Sequence, residues 1–142
     1  MIIPTVGVAV IQGEKVLLIR HGDGAAHLNN TYGLPAGHID EGETEKQAAK
    51  RELFEEAGLI AEEDDLVEIP KAWSAVIQRK DGVKEFSWKV FVARVYQGEI
   101  VESVEGVPEW IEIASIGELN LLPNVADAIG EGMKIRELHG LT

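Results

Sequence analysis

Residues 44–58, TEKQAAKRELFEEAG, settle more about this chain than any other stretch. Thr44 and Gln47 have the spacing of a capping box, in which a threonine hydroxyl accepts from a backbone N–H and the glutamine reaches back. Gly58 supplies a stop, so a helix over 45–57 is predicted. At 100° per residue, Glu52, Glu55 and Glu56 share one face of that helix. Ala49, Leu53 and Ala57 form the adjacent stripe, which is apolar and suited to packing on a sheet. Ala48 lies on the acidic face one turn earlier and leaves room for a ligand. Like charges at these spacings repel by about a few tenths of a kcal/mol per pair. Arg51 flanks the acidic face, and nothing basic sits among the three glutamates on it. Such a face is either washed by solvent or built for a hard divalent cation such as magnesium, which takes carboxylate and phosphate oxygens together.

The neighbours of the helix read as strands. Residues 5–11 (TVGVAVI) and 15–20 (KVLLIR) are β-branched and apolar around Gln12-Gly13-Glu14, and they read as a hairpin. Residues 21–30 form a loop, and Pro35 biases Leu34 towards extended backbone. Two long strands are expected at 66–78 and 85–96, joined by the Lys80-Asp81-Gly82 turn. A further strand is expected at 109–113. A second helix is expected at 125–138, weakened by Gly130 and Gly132. The order β-β-α-β-β-β-α implies a mixed sheet between two helices, in the α/β (α+β) class.

A chain of 142 residues with no linker or repeat is expected to form one domain over 1–142. With no cysteine there is no disulfide, thiolate metal site or cysteine nucleophile. No apolar run approaches the roughly 20 residues of a membrane helix, and no secretory signal is visible, so a cytoplasmic protein without membrane partners is expected. The net charge of −12 argues against binding a nucleic-acid polymer. Eleven of the 25 acids lie between Asp40 and Asp65, so an anionic ligand there requires cations.

The glutamates belong to a longer pattern. Gly37-His38-Ile39-Asp40-Glu41-Gly42-Glu43, seven spacer residues, then Arg51-Glu52-Leu53-Phe54-Glu55-Glu56-Ala57-Gly58-Leu59 matches G-x5-E-x7-R-E-U-x-E-E-x-G-U, with U a bulky aliphatic. This segment resembles the Nudix box at every defined position, and the flanking strands fit that family's α/β/α sandwich, with a mixed β-sheet between helices. The resemblance implies that Glu52, Glu55 and Glu56 are metal ligands and that Glu43 supports the metal. Arg51 would orient a ligand glutamate, and the Ala36 carbonyl would be a further ligand. Gly37 would permit a tight turn. The implied cofactor is Mg²⁺, with Mn²⁺ a possible substitute.

Beyond the box, His27-Leu28-Asn29-Asn30, Glu105 to Trp110 and Pro123-Asn124 are similar to loops of the MutT-type nucleoside-triphosphate pyrophosphohydrolases. Glu105 is a candidate base or ligand, or a surface charge. Asn124 is a base reader or a helix cap. Arg20 either meets a substrate phosphate or faces solvent. The expected catalytic set is Glu55, Glu56, Arg51 and Glu105, and the expected substrate contacts are Arg20, His27 and Asn124. His21 and His38 are expected to be bystanders, His21 exposed in a loop. Trp73, Trp88 and Trp110 are expected in strand packing, with one of them free to stack on a base.

The reaction implied is hydrolysis of the diphosphate linkage in a nucleoside diphosphate-X compound, a small-molecule nucleotide. A nucleoside triphosphate, with a damaged base as one option, would be cut to monophosphate and pyrophosphate by a monomer or homodimer. ADP-ribose or another nucleotide sugar is the alternative within the class. A non-catalytic nucleotide-binding module is the alternative outside it, and the intact box argues against that.

Overall fold

A computed structural model describes residues 1–139. Its strands are β1 (Ile2–Ala9), β2 (Ile11–Gln12), β3 (Lys15–His21), β4 (Tyr32–Gly33), β5 (Ala36–His38), β6 (Leu66–Arg79), β7 (Gly82–Ala93) and β8 (Gly106–Glu112). The helices are α1 (Glu45–Ala57) and α2 (Val125–Leu138). One four-stranded sheet runs β5-β1-β7-β6 and is mixed, with β1 parallel to β7. A second sheet joins β2, β3 and β4, with β8 antiparallel to β3.

The helices cover opposite faces. Val6, Val8, Leu17, Ile19 and Phe91 pack with Ala49, Leu53 and Ala57 of α1. Their sequence neighbours Ala9, Val16, Leu18, Val90 and Val92 pack with Val125, Ala128 and Ile129 of α2. Strands apolar at every position are thereby explained: alternate residues feed two different cores. The sandwich expected from the order of elements is therefore present, with its strands divided between two sheets.

That division overturns the expected hairpin. β1 ends at Ala9, and the hairpin partner of β3 is reduced to Ile11 and Gln12, with the Val10 carbonyl accepting the Leu17 N–H at 2.9 Å. A run apolar on both faces belongs at the centre of a sheet, and β1 takes that place between β5 and β7. The β6–β7 connection is tighter than expected. Lys80 and Asp81 form the turn and Gly82 already pairs with Arg79. β7 correspondingly stops at Ala93, short of the expected 96.

Candidate active site

The capping box forms as expected. The Gln47 N–H donates to Thr44 Oγ1 at 3.1 Å, and the Thr44 N–H donates to the Gln47 side chain at 2.9 Å. At the other end Gly58 takes the left-handed conformation, φ 81°, and its N–H donates to the Phe54 carbonyl. So fixed, α1 drives Glu52 and Glu56 against β5, where they are 8% and 5% exposed. Glu56 Oε1 accepts the Ala36 N–H at 2.6 Å. Gly37 sits in β5 opposite Val6, not in a turn, and a Cβ there would overlap the Glu52 carboxylate. The glycine is required for close approach, which corrects the turn expected of it.

The Ala36 carbonyl faces the same side. In an extended strand the N–H and C=O of one residue point the same way. Since the Ala36 N–H meets Glu56 and the Pro35 carbonyl meets β1, the Ala36 carbonyl is directed away from the sheet, beside that glutamate.

Arg51 does more than flank the acidic face. Its Nε and Nη2 donate to the two oxygens of Glu43 at 2.7 and 2.9 Å, a bidentate pair. Nη1 donates to Glu52 at 2.7 Å, and Nη2 also donates to the His38 carbonyl. Glu43 in turn accepts the Asp40 N–H at 2.9 Å. The expectation that no base offsets the glutamates is thus corrected: the long arginine side chain curls back over them. Glu55 sits at the exposed edge of this knot, accepting from Arg51 Nη1 at 3.3 and 3.4 Å. Its side chain is 54% exposed. Positions i+3 and i+4 diverge by 100°, and only Glu56 turns inward.

Burial dominates the electrostatics. It pushes the Glu52 carboxyl up to about 7, against the opposing pull of Arg51. Burial also raises Glu56 well above the ordinary carboxylate range, and the neighbouring carboxylate of Glu105 raises it further.

Glu52, Glu56 and Glu105 face a cavity of about 330 Å³ whose other walls include Phe86, Trp88, Leu34 and His27. That volume is at the lower end for a small-molecule site. His21 is not an exposed loop residue. It is 5% exposed at the end of β3, with Nδ1 2.9 Å from the Thr31 carbonyl, which places the proton on that nitrogen. His27 lies against it, ring centroids 4.8 Å apart. Burial first, then His21 and Arg79, push His27 down to about 4, so it is neutral at pH 7. Its buried Nδ1 has no hydrogen-bond partner among the described residues.

Of the other expected substrate contacts, Arg20 lies away from the cavity and Asn124 stands between two of its lining residues, Pro123 and Val125. Arg20 donates to Glu109 at 2.7 Å across the β3–β8 ladder and does not line the cavity. Asn124 stands at the N-cap position of α2 but makes no side-chain cap; its amide donates to the Ser74 carbonyl on β6 at 3.0 Å. Among the tryptophans, Trp88 lines the cavity. Phe86 and Thr5 line it as well, and their alternation along β7 and β1 was the only signal that could have found them.

Among the described residues no three carboxylate or imidazole groups stand in ready-made ligand geometry. Arg51 holds Glu52, and Glu55 points out. The donors nevertheless fit a divalent cation. Glu52, Glu56 and the Ala36 carbonyl are hard oxygen donors packed together, and a cation there would offset the burial and mutual repulsion that raise both carboxyls. Among the described residues no helix is long and apolar enough to cross a membrane.

The chain matches the NUDIX domain family over residues 1–130. It is 34% identical over 111 residues to the oxidized purine nucleoside triphosphate hydrolase of Danio rerio, covering 77% of this chain and 65% of that protein. The fold is shared with a MutT NUDIX hydrolase from Burkholderia pseudomallei: TM-score 0.76, 21% identity, 92% of this chain and 98% of that one. It is also shared with a bifunctional NMN adenylyltransferase/ADP ribose pyrophosphatase from Francisella tularensis, complexed with AMP and a Mn ion. There the TM-score is 0.66 and the identity 21%, over 98% of this chain and 42% of that one. The chain spans about half the length of the curated relatives it matches. With Gly37, Glu52 and Glu56 of the box at one cavity and the family match running through most of the sequence, the chain belongs to the Nudix family.

Proposed function

We propose that this protein hydrolyses the diphosphate linkage of a nucleoside diphosphate-X compound with Mg²⁺, or Mn²⁺ in its place. The observation that carries this reading is the packing of Glu52 and Glu56 beside Glu105 at one end of an aromatic-walled cavity. Glu52, Glu56 and the Ala36 carbonyl would hold the cation, with Glu43 acting through Arg51 and Glu55 available at the rim. When bound, the cation neutralises the diphosphate and makes a water easier to deprotonate.

The residues supply the rest. Arg51 fixes Glu52 by a charge-assisted hydrogen bond, and Gly37 leaves space for that carboxylate. Glu105, which lines the cavity with Glu56, is the carboxylate we place to take a proton from water at that end. The water oxygen forms a new bond to one phosphorus and the bridging P–O bond breaks. The other phosphate leaves with the electron pair, and the proton passes from the carboxyl to solvent. Phe86 and Trp88 offer flat apolar surface to a nucleobase, and neutral His27 offers a hydrogen bond without charge.

We assign a nucleoside triphosphate, with an oxidised purine the first choice, as the substrate. Support comes from the name of the Danio rerio relative and from the presence of His27 and Glu105 in the cavity. Asn124, whose amide is engaged by the Ser74 carbonyl, adds no support to this assignment. The net charge of −12 argues against a polymeric nucleic acid. The test is product analysis with a nucleotide panel and Mg²⁺. Monophosphate and pyrophosphate from triphosphates is the expected result. AMP and ribose phosphate from ADP-ribose, at much higher kcat/KM, would overturn the substrate assignment.

A further inference from the structure

Glu105 sits in a loop, yet it lines the same cavity as Glu52 and Glu56 of α1. Its backbone shows what holds it. The Gly22 N–H donates to the Glu105 carbonyl at 3.1 Å. Two residues further on, Gly24 lies flat on the Val104 carbonyl, so close that a Cβ there would overlap the oxygen. The same segment is gripped from the opposite side. The Lys80 ammonium, at the β6–β7 turn, donates to the carbonyls of Gly22 at 2.9 Å and Asp23 at 3.3 Å. The Lys80 N–H donates to the Ala26 carbonyl at 2.9 Å. Residues 22–26 are therefore a strap, fastened at one edge by Lys80 and pressed at the other onto the backbone of Val104 and Glu105.

We propose that this strap positions Glu105 for catalysis, with Lys80 and Gly24 as its positioning residues. The inference rests on the role given to Glu105 under the proposed reaction. Neither positioning residue is part of the acidic end of the cavity. Lys80 is exposed, and it acts through Gly22, whose amide links the lysine to Glu105 within a single peptide segment. Position matters because a carboxylate displaced by about 1 Å from its proton-transfer geometry slows turnover by up to roughly 100-fold.

The experiment compares Lys80→Met, Lys80→Arg, Gly24→Ala, Glu105→Gln and the double variant Lys80→Met/Glu105→Gln. Lys80→Met is expected to lower kcat roughly 10-fold with a smaller rise in KM, since Ala25 and Ala26 of the strap line the cavity while the walls formed by Phe86 and Trp88 stay in place. Lys80→Arg, which can still donate to both carbonyls, should restore most of the rate, and Gly24→Ala should reproduce the loss. Adding Lys80→Met to Glu105→Gln should slow turnover no further, because the strap acts through the carboxylate already removed.

Amide hydrogen exchange reads the strap independently of activity. Lys80→Met should speed exchange in residues 22–26 and in 103–106 together, and leave α1 unchanged. A slow Glu105→Gln beside a normal Lys80→Met overturns the strap alone, as does exchange that rises in 22–26 but not in 103–106. A normal Glu105→Gln overturns the role of Glu105 and the inference with it. A wild-type protein that cleaves no diphosphate overturns the proposed reaction, and the exchange data then show whether the strap exists at all.

Discussion

The two helices lie on opposite faces of the same sheet and differ by one residue in length, yet they solve different problems. α2 buries Val125, Ala128, Ile129, Gly132 and Ile135, an apolar stripe that needs nothing but a complementary surface. α1 buries Ala48, Ala49, Leu53 and Ala57 and, in the same interface, Glu52 and Glu56. Burying carboxylates opposes folding unless they are paired, protonated or bound to a cation. The local chemistry of α1 offsets part of this: it has a complete capping box, a left-handed glycine stop and the Arg51 knot. α2 has no side-chain cap at its start. Local reinforcement is found where the interface is electrostatically strained, and is absent where packing suffices.

The largest break in this comparison is expected from Glu56→Gln. It should reduce turnover by two or more orders of magnitude while leaving the fold intact, because it removes a carboxylate from the reacting end of the cavity. Asp127→Gln on α2, which loses surface contacts to Lys71 and Trp73, should leave turnover near wild type. Pyrophosphate release measures both, and equal activity in the two variants would remove Glu56 from the site.

Next in size is the effect of pH on Glu52. Its carboxyl is raised from 4.5 to about 7 in the folded protein, so the fold binds this proton more tightly than the unfolded chain does. Sign follows from linkage: this stabilisation is full below pH 4.5 and is lost as pH rises through 7. Its size is up to roughly 3 kcal/mol. In chelator, Glu52→Gln should melt close to wild type at pH 4.5 and above it at pH 8. A variant that melts lower by the same margin at both values would mean that Arg51 keeps Glu52 ionised throughout.

The smallest effect separates the two helix starts. Thr44→Ala should lower stability by about 1 kcal/mol, and Thr44→Asp should be tolerated, since aspartate caps as well. At position 124 the preference reverses. Asn124→Asp loses the donor to the Ser74 carbonyl and sets oxygen against oxygen, and it should lower stability by about 1 kcal/mol. Urea denaturation of the four proteins measures both. Tolerance of aspartate at 124 would restore the capping role.

Much of α1 was legible in the sequence because its information is local. Caps, stop and face are set by residues within a few positions of one another, and the observed bounds of Glu45–Ala57 coincide with those expected. The same locality misled at Arg51. Helical spacing placed it beside the acidic face, but a side chain with four rotatable bonds reaches Glu43, Glu52 and the His38 carbonyl at once. His21, Arg20 and Asn124 were misplaced for a related reason: the sequence does not say which partner a polar side chain meets across 10, 89 or 50 residues.

By itself, the sequence determined the elements, the carboxylates available and the family pattern, all of which depend on spacing along one chain. The tertiary structure decided which of those carboxylates stand together. β5 receives Glu52 and Glu56 only because Gly37 lets α1 approach, and Glu105 joins them only because residues 22–26 hold its loop in place. Helical periodicity makes Glu52, Glu55 and Glu56 equivalent, whereas burial does not. Desolvation falls on Glu52 and Glu56 and leaves Glu55 in water, and that difference depends on what packs against α1, which no spacing along the chain records.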